Sequence, residues 1–164
     1  MELRLFALLA DRQFEQGLAL LPQLPPYGVE YSVWKWPTEL IECVAHLWLG
    51  RTEEGRDSCS AALSISQLEL QTRENDPRLW ANIGYTQALL GNPEDAIEAA
   101  EHALALAVDT VDQLQFRQDL AAIAGLAGDS DRAIALIREQ LALPGWVTRK
   151  WLNFEWRYDN LRDD

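Results

Sequence analysis

The chain has 164 residues, of which 48% are hydrophobic and 24% charged. This composition predicts one soluble globular domain and excludes a disordered chain. The net charge of −12 repels phosphate, so nucleic acid is not an expected partner. The apolar runs fall far short of the ~20 residues that cross a bilayer, and the acidic start lacks a signal-peptide pattern. We therefore expect no membrane contact and a cytoplasmic location.

A repeated turn pattern organises the chain into helical hairpins. A weak copy spans residues 9–17, and stronger copies follow at 49–55, 90–96 and 127–133. In these three, Gly50, Gly91 and Gly128 follow an apolar helix end and precede a polar turn, roughly every 40 residues. We predict a single domain over residues 1–164, with hairpins at about 2–24, 37–71, 77–107 and 110–142 and a cap at 145–164.

The turn residues explain why helices end and begin at these points. Glycine tolerates the left-handed conformation that closes a helix. Asp76 followed by Pro77 is typical of a helix start, and Thr110 with Gln113 has the spacing of a capping box. Each hairpin is therefore expected to have a tight turn.

Apolar residues between the turns recur with the period of a helix. Small residues stand at matching places in the two helices of a hairpin, as with Gly84 and Ala96, or Ala121 and Ala133. Cys43 and Gly55 take those places in the second hairpin. No stretch alternates with period two for long enough to be a strand, so the fold class is all-α.

Residues 24–37 interrupt the helical pattern with prolines and aromatic residues, including Trp34 and Trp36. This segment is longer than a simple hairpin link. Two interpretations stay open: the segment packs across the first hairpin and fills the groove there, or it is an exposed recognition loop.

The third hairpin carries a family resemblance. The pattern Trp80-x-x-Ile83-Gly84, then residues 90–96, Ala100, Ala103 and Leu106, resembles the tetratricopeptide repeat. Residues 120–143 resemble it as well, and the two earlier hairpins do so loosely. The resemblance implies a right-handed α-solenoid of about four antiparallel hairpins.

The C-terminus carries a second resemblance. Residues 143–164 are similar to the closing segment of tetratricopeptide modules in bacterial multidomain signalling proteins, although Trp156 and Asn160 stand where that family usually has proline. The resemblance implies that the chain is part of a larger regulatory protein. Its aromatic residues are expected to cap the apolar face of the last helix.

Residues suited to catalysis or metal binding are few. Cys43 and Cys59 lie on successive predicted helices, where they could face each other, but we interpret them as buried small hydrophobic residues. His46 and His102 lie in different hairpins, and neither has a second ligand at helical spacing. We expect no enzyme activity, no metal and no cofactor.

The first helix of each hairpin lines the concave side of such a repeat array. We predict that this groove binds a peptide, with Trp48 and Tyr85 as aromatic anchors and Arg78 as a polar contact. The alternative is that both aromatic residues pack between hairpins. The predicted partner-binding residues are Phe6, Leu40, Val44, Trp48, Arg78, Tyr85, Leu89 and Gln118.

The sequence thus favours a protein-interaction scaffold in a bacterial regulatory protein. The acidic surface favours a basic or apolar peptide over an acidic one. Asn82 lies near the place of a carboxylate-clamp residue, but the lysines of such a clamp are missing. The alternatives are a homodimerisation module, and a sensor that binds a small ligand between the Trp34/Trp36 loop and the groove.

Overall fold

The computed structural model describes residues 2–25, 27–30, 33–143 and 147–162. These residues are mostly helical, which confirms the all-α prediction. The α-helices are α1 (Glu2–Ala10), α2 (Phe14–Leu18), α3 (Thr38–Trp48), α4 (Thr52–Leu70), α5 (Pro77–Leu90), α6 (Pro93–Leu106), α7 (Thr110–Leu126), α8 (Ser130–Leu141) and α9 (Arg149–Phe154). Short 3₁₀ helices occupy Leu21–Gln23 and Trp156–Leu161.

The helices stack in sequence order as hairpins. The pairs α3/α4, α5/α6 and α7/α8 pack together, while α4 also packs on α5 and α6 on α7. The first helices α3, α5 and α7 contact one another in turn, and the 3₁₀ helix Trp156–Leu161 packs on α7. We call the side formed by α3, α5 and α7 the inner face.

The turns have the predicted backbone conformation. Gly50, Gly91 and Gly128 have φ of 75°, 86° and 88°, in the left-handed region where glycine is favoured. The Asp76 carboxylate caps α5 by accepting from the Arg78 N–H at 3.0 Å. The predicted cap at Thr110 was wrong by one residue: α7 is capped by Asp109, whose carboxylate accepts from the Asp112 N–H at 2.9 Å.

The third hairpin shows the close backbone approach that its small residues predicted. A Cβ on Gly84 would lie 2.9 Å from Ile123 Cδ1 and 3.0 Å from the Ala96 carbonyl oxygen. Only a hydrogen fits there, which confirms the role predicted for the Gly84/Ala96 pair. In the second hairpin, by contrast, Gly55 lies against Leu47.

The loop between the first two hairpins contains the only strands among the described residues. β1 (Val29–Glu30) and β2 (Lys35–Trp36) pair antiparallel, with Val29 opposite Trp36. The sequence did not predict these strands, because two residues are too few to show the alternation of apolar and polar residues that marks a strand. Gly28, at φ 77°, brings the backbone so close to Trp36 that a Cβ would overlap its carbonyl oxygen.

Candidate functional site

The inner face is the place where the predicted partner-binding residues come together, and two segments of the chain cover it. The first is the loop at residues 25–37. The second is the pair formed by α9 and the 3₁₀ helix Trp156–Leu161, which we call the C-terminal segment (residues 149–161).

The loop packs across the inner face through its tryptophans. The Trp34 and Trp36 rings lie 5.4 and 6.3 Å from the Phe6 ring, centre to centre. The Asn82 side-chain amide donates to the Lys35 carbonyl, so this residue holds the loop. Of the two interpretations, the described residues of the loop fit the one in which it fills the first part of the groove.

Lys35 anchors the loop to the second hairpin. Its side chain is almost fully buried, and its Nζ lies 2.8 Å from a Glu69 carboxylate oxygen and 3.7 Å from one of Glu30. A buried ammonium group needs such partners because burial removes it from water. This pairing fixes the loop on the inner face.

The C-terminal segment covers the rest of the inner face. Trp156 is inserted between Trp36 and Trp48, with edge-on ring distances of 5.9 and 5.2 Å. This is the favoured geometry for aromatic pairs. The Tyr158 hydroxyl donates to the Gln118 carbonyl at 3.1 Å, which ties the segment to α7.

A buried polar cluster lies beneath Trp156. Asp119 Oδ1 accepts from the Tyr85 hydroxyl at 2.8 Å, from Gln115 Nε2 at 3.1 Å and from Arg157 Nη1 at 2.8 Å. Arg157 also donates to the Tyr85 hydroxyl oxygen and, through Nη2, to Glu155 at 2.8 Å. Asp119 and Arg157 are 4% and 3% exposed, so Asp119 depends on Arg157 for charge compensation, while Arg157 has both Asp119 and Glu155.

Burial dominates the electrostatics of this cluster. It raises the pKa of Asp119, and Arg157, Tyr85 and Gln115 offset part of that effect. It also raises the pKa of Tyr85 well above its ordinary value. Burial acts to lower the pKa of Arg157, but Glu155, Tyr85 and Asp119 outweigh it and hold the pKa well above the ordinary value. Arg157 is therefore a permanent cation, and Tyr85 is a neutral donor.

Asp159 fixes the outer edge of the C-terminal segment. Its carboxylate pairs with Arg12 from the first hairpin and with Arg162 at 2.8 Å. The Trp48 Nε1–H donates to the same carboxylate at 3.4 Å. Burial raises the pKa of Asp159, but hydrogen bonds from Arg12 and Arg162 outweigh it, so the pKa is lowered.

The structure places the eight predicted residues on or beside this covered face. Leu40, Val44, Tyr85 and Gln118 are at most 2% exposed, and Phe6, Trp48 and Leu89 are half-buried. Arg78 instead pairs with Asp76 at 2.8 Å and Glu30 at 3.2 Å. Phe6 and Arg78 contact the chain's own loop. Trp48, Tyr85 and Gln118 contact the C-terminal segment. Contact of the eight residues with a partner stays a prediction.

The interpretation of the cysteines was wrong. Cys43 and Cys59 form a disulfide between α3 and α4, with their Cα atoms 4.8 Å apart. The hairpin brings the two side chains together, which the sequence left open. Disulfides persist in oxidising compartments. The bond is therefore at odds with the expected cytoplasmic location, which stays a prediction.

The remaining groups suited to chemistry are dispersed. His102 packs against Trp80, with ring centres 4.2 Å apart, and His46 lies on α3. Among the described residues, no three His, Cys, Asp or Glu side chains are grouped to hold a metal. The Asp119 cluster is buried and is filled by the chain's own Arg157.

Three cavities are notable. A polar cleft of about 640 Å³ lies at the α4–α5 connection, lined by residues 72–78 with Asp112 and Phe116. An apolar cleft of about 280 Å³ separates α8 from the C-terminal segment. The cavity between Phe6, Trp34, Trp36 and the C-terminal segment measures about 40 Å³, which leaves room for about one water molecule.

Sequence reasoning missed Asp119 and Arg157 as the centre of this site. A signal for Asp119 was present: it is an acid at the helical spacing of Gln115 and Ala122, directly before the apolar run at residues 120–124 of α7. The departures from proline at Trp156 and Asn160 were a second signal. Trp156 fills the space between two rings, and the Asn160 amide donates to the Gly125 carbonyl.

No helix in the described part of the chain has the length and apolar character needed to cross a membrane. No protein-family model, curated protein or solved structure matches the chain.

Proposed function

We propose that the chain is a tetratricopeptide-type protein-interaction module of a bacterial regulatory protein, and that its inner face binds a segment of a partner protein. The all-α hairpin stack and the repeated turn pattern support the family assignment. The expected right-handed solenoid is part of this proposal.

One observation carries the proposal: the inner face already holds a short, contiguous segment by its side chains. The C-terminal segment is bound through an inserted tryptophan, a buried arginine and a tyrosine hydroxyl. These are the residue types that dominate binding hot spots between proteins. A segment from a partner protein would find the same rings and the same carboxylate.

The inner face also has the chemistry that the predicted partner requires. Asp119 is a buried acceptor whose cation, Arg157, comes from the C-terminal segment, and the chain is strongly acidic. A basic or aromatic segment is therefore favoured over an acidic one. The cavity beside Trp34 is too small for a metabolite, so the geometry favours a protein partner over a small ligand.

The test is a selection from a displayed library of random peptides as long as the C-terminal segment. The selected peptides are then measured against the wild-type chain, Trp48→Ala on the inner face and Leu68→Ala, an exposed change on α4. We expect Trp48→Ala to weaken binding by about 30-fold, as loss of an aromatic hot spot does. Leu68→Ala should leave it unchanged. Equal binding to both variants would place the binding surface elsewhere and contradict the proposal.

A further inference from the structure

The occupant of the inner face indicates which partner the face accepts. Arg157 Nη1 contacts both the Tyr85 oxygen and Asp119 Oδ1, while Nη2 reaches Glu155. These contacts depend on the planar, forked guanidinium group, whose geometry the single ammonium group of a lysine does not reproduce. Any segment that replaces this one leaves the buried Asp119 without a cation unless it carries a basic residue at the same place, and arginine alone reproduces the observed contacts.

The neighbours of Arg157 define the rest of the pattern. The preceding residue, Trp156, fills the space between the Trp36 and Trp48 rings. The following residue, Tyr158, is 4% exposed and reaches the Gln118 carbonyl with its hydroxyl. The face therefore accepts an arginine between two aromatic residues in a tight turn.

The 3₁₀ helix holds the C-terminal segment more firmly than α9 does, although Trp151 and Leu152 of α9 pack partly buried against the core. The 3₁₀ helix contributes Trp156, Arg157 and Tyr158 as buried residues, whereas α9 has no buried residue and its Phe154 is 56% exposed. A segment that matches the 3₁₀ turn therefore competes with most of what holds it in place.

We propose that the C-terminal segment is a built-in competitor, and that the partner segment carries an aromatic–Arg–aromatic turn which displaces residues 156–158 from the inner face. This inference depends on the proposed function and names the partner's chemistry. In the absence of partner the segment keeps the rings and Asp119 covered.

The test uses the full chain and a fluorescent peptide with the sequence of residues 149–162. Binding is measured by fluorescence anisotropy to the wild type and to Arg157→Ala, which weakens the chain's own occupant. We expect the peptide to bind Arg157→Ala at least about tenfold more tightly, because the free fraction of the inner face rises. A peptide in which the same arginine is lysine should lose about tenfold, and one with alanine should not bind.

Asp119→Asn supplies the matched control for charge recognition. It keeps the shape of the acceptor but removes its charge, so the arginine and lysine peptides should bind it with more nearly equal affinity. Circular dichroism shows whether Arg157→Ala folds. If the variant folds but binds no peptide, the proposal is wrong.

Hydrogen exchange of the wild-type chain decides the question if Arg157→Ala does not fold. The amides of residues 149–161 should exchange faster than those of α7, by local opening. Equal exchange rates in both would mean that the segment leaves only on global unfolding, and would overturn the proposal.

The two proposals fail in different ways. If the selected peptides need Trp48 but carry no arginine, the proposal of an interaction module stands. The proposal that the C-terminal segment competes through Arg157 is then wrong. A library without any peptide that needs the inner face would overturn both.

Discussion

At the scale of single residues, the buried pair of Asp119 and Arg157 is the feature on which the site depends most. A buried ion pair is weak evidence for stability as a whole, because two charges lose their hydration. Removing Arg157 is a different matter, since Asp119 is then left buried without a cation, whereas Arg157 without Asp119 still has Glu155. Under the proposed function, the cost of leaving Asp119 unpaired would penalise a wrong occupant of the inner face.

Asp119→Ala should lower the free energy of unfolding by about 3–5 kcal/mol, because Arg157 loses one of its two carboxylate partners. The buried donors of Tyr85 and Gln115 lose their acceptor as well. Urea denaturation followed by circular dichroism measures this. Glu98→Ala, an exposed change in the middle of α6, should stay within about 0.5 kcal/mol of wild type. Similar losses in the two variants would mean that the pair contributes nothing specific.

The disulfide is the second feature at this scale. Cys59→Ser should lower the free energy of unfolding by about 3 kcal/mol, because the bond closes a short loop in the unfolded chain. The measurement is urea denaturation with and without a reducing agent. Reductant should destabilise the wild type and leave a Cys43→Ser/Cys59→Ser chain unchanged. The cross-link would be refuted if reductant left the stability of the wild-type chain unchanged and its mass showed two free thiols.

At the scale of elements, the packing of α5 on α6 depends on Gly84. Gly84→Ala should destabilise the chain by about 1–3 kcal/mol, since the new Cβ meets the Ala96 carbonyl oxygen at 3.0 Å. Gly17 in α2 is the matched control: a Cβ there has its nearest neighbour at 3.5 Å, an ordinary contact. Gly17→Ala should be neutral or stabilise by up to about 1 kcal/mol. Denaturation midpoints that fall equally in both would contradict the close approach.

The attachment of the C-terminal segment should depend on acid through Asp159. Its pKa is lowered in the folded chain, so the unfolded chain binds the proton more readily. The stabilisation is therefore complete above the unfolded pKa of about 4 and is lost as the pH falls through the still lower folded pKa. The free energy of unfolding is measured at several pH values by tryptophan fluorescence during urea titration.

Asp159→Asn is the control for this acid dependence. The variant should be less stable than wild type at neutral pH, and the difference should shrink below about pH 4, where wild type also loses the charge. A difference that stays constant down to pH 2 would show that the carboxylate has no part in it.

At the scale of the whole molecule, the covered inner face determines what the chain does alone. Its rings and Asp119 are occupied by its own residues, so the described residues leave no large apolar surface of the inner face for a second copy. We expect light scattering on a sizing column to give the mass of one chain over a wide concentration range. A dimer that persists at high salt would indicate apolar self-association and would favour the homodimerisation alternative.

The sequence by itself determined the features whose causes are local. Glycines that adopt a positive φ, acids that cap helices and the helical period of apolar residues all act within a few residues, so helix ends and hairpin turns could be placed from them. The close approach at Gly84 followed from the same local pattern. Residues 25–37 could be recognised as an interruption of the helical pattern, but the sequence did not decide whether they pack on the groove or stay exposed.

Only the tertiary structure decided which distant residues meet. Trp48 and Trp156, Asp119 and Arg157, and the two cysteines are far apart in the chain, and no local period encodes their pairing. The sequence predicted a binding surface at the inner-face positions, which stays a prediction. What covers those positions in the folded chain depends on how the hairpins stack and where the C-terminal segment lies. A buried carboxylate and a buried guanidinium each look like surface residues in the sequence, because burial is a property of the assembled fold.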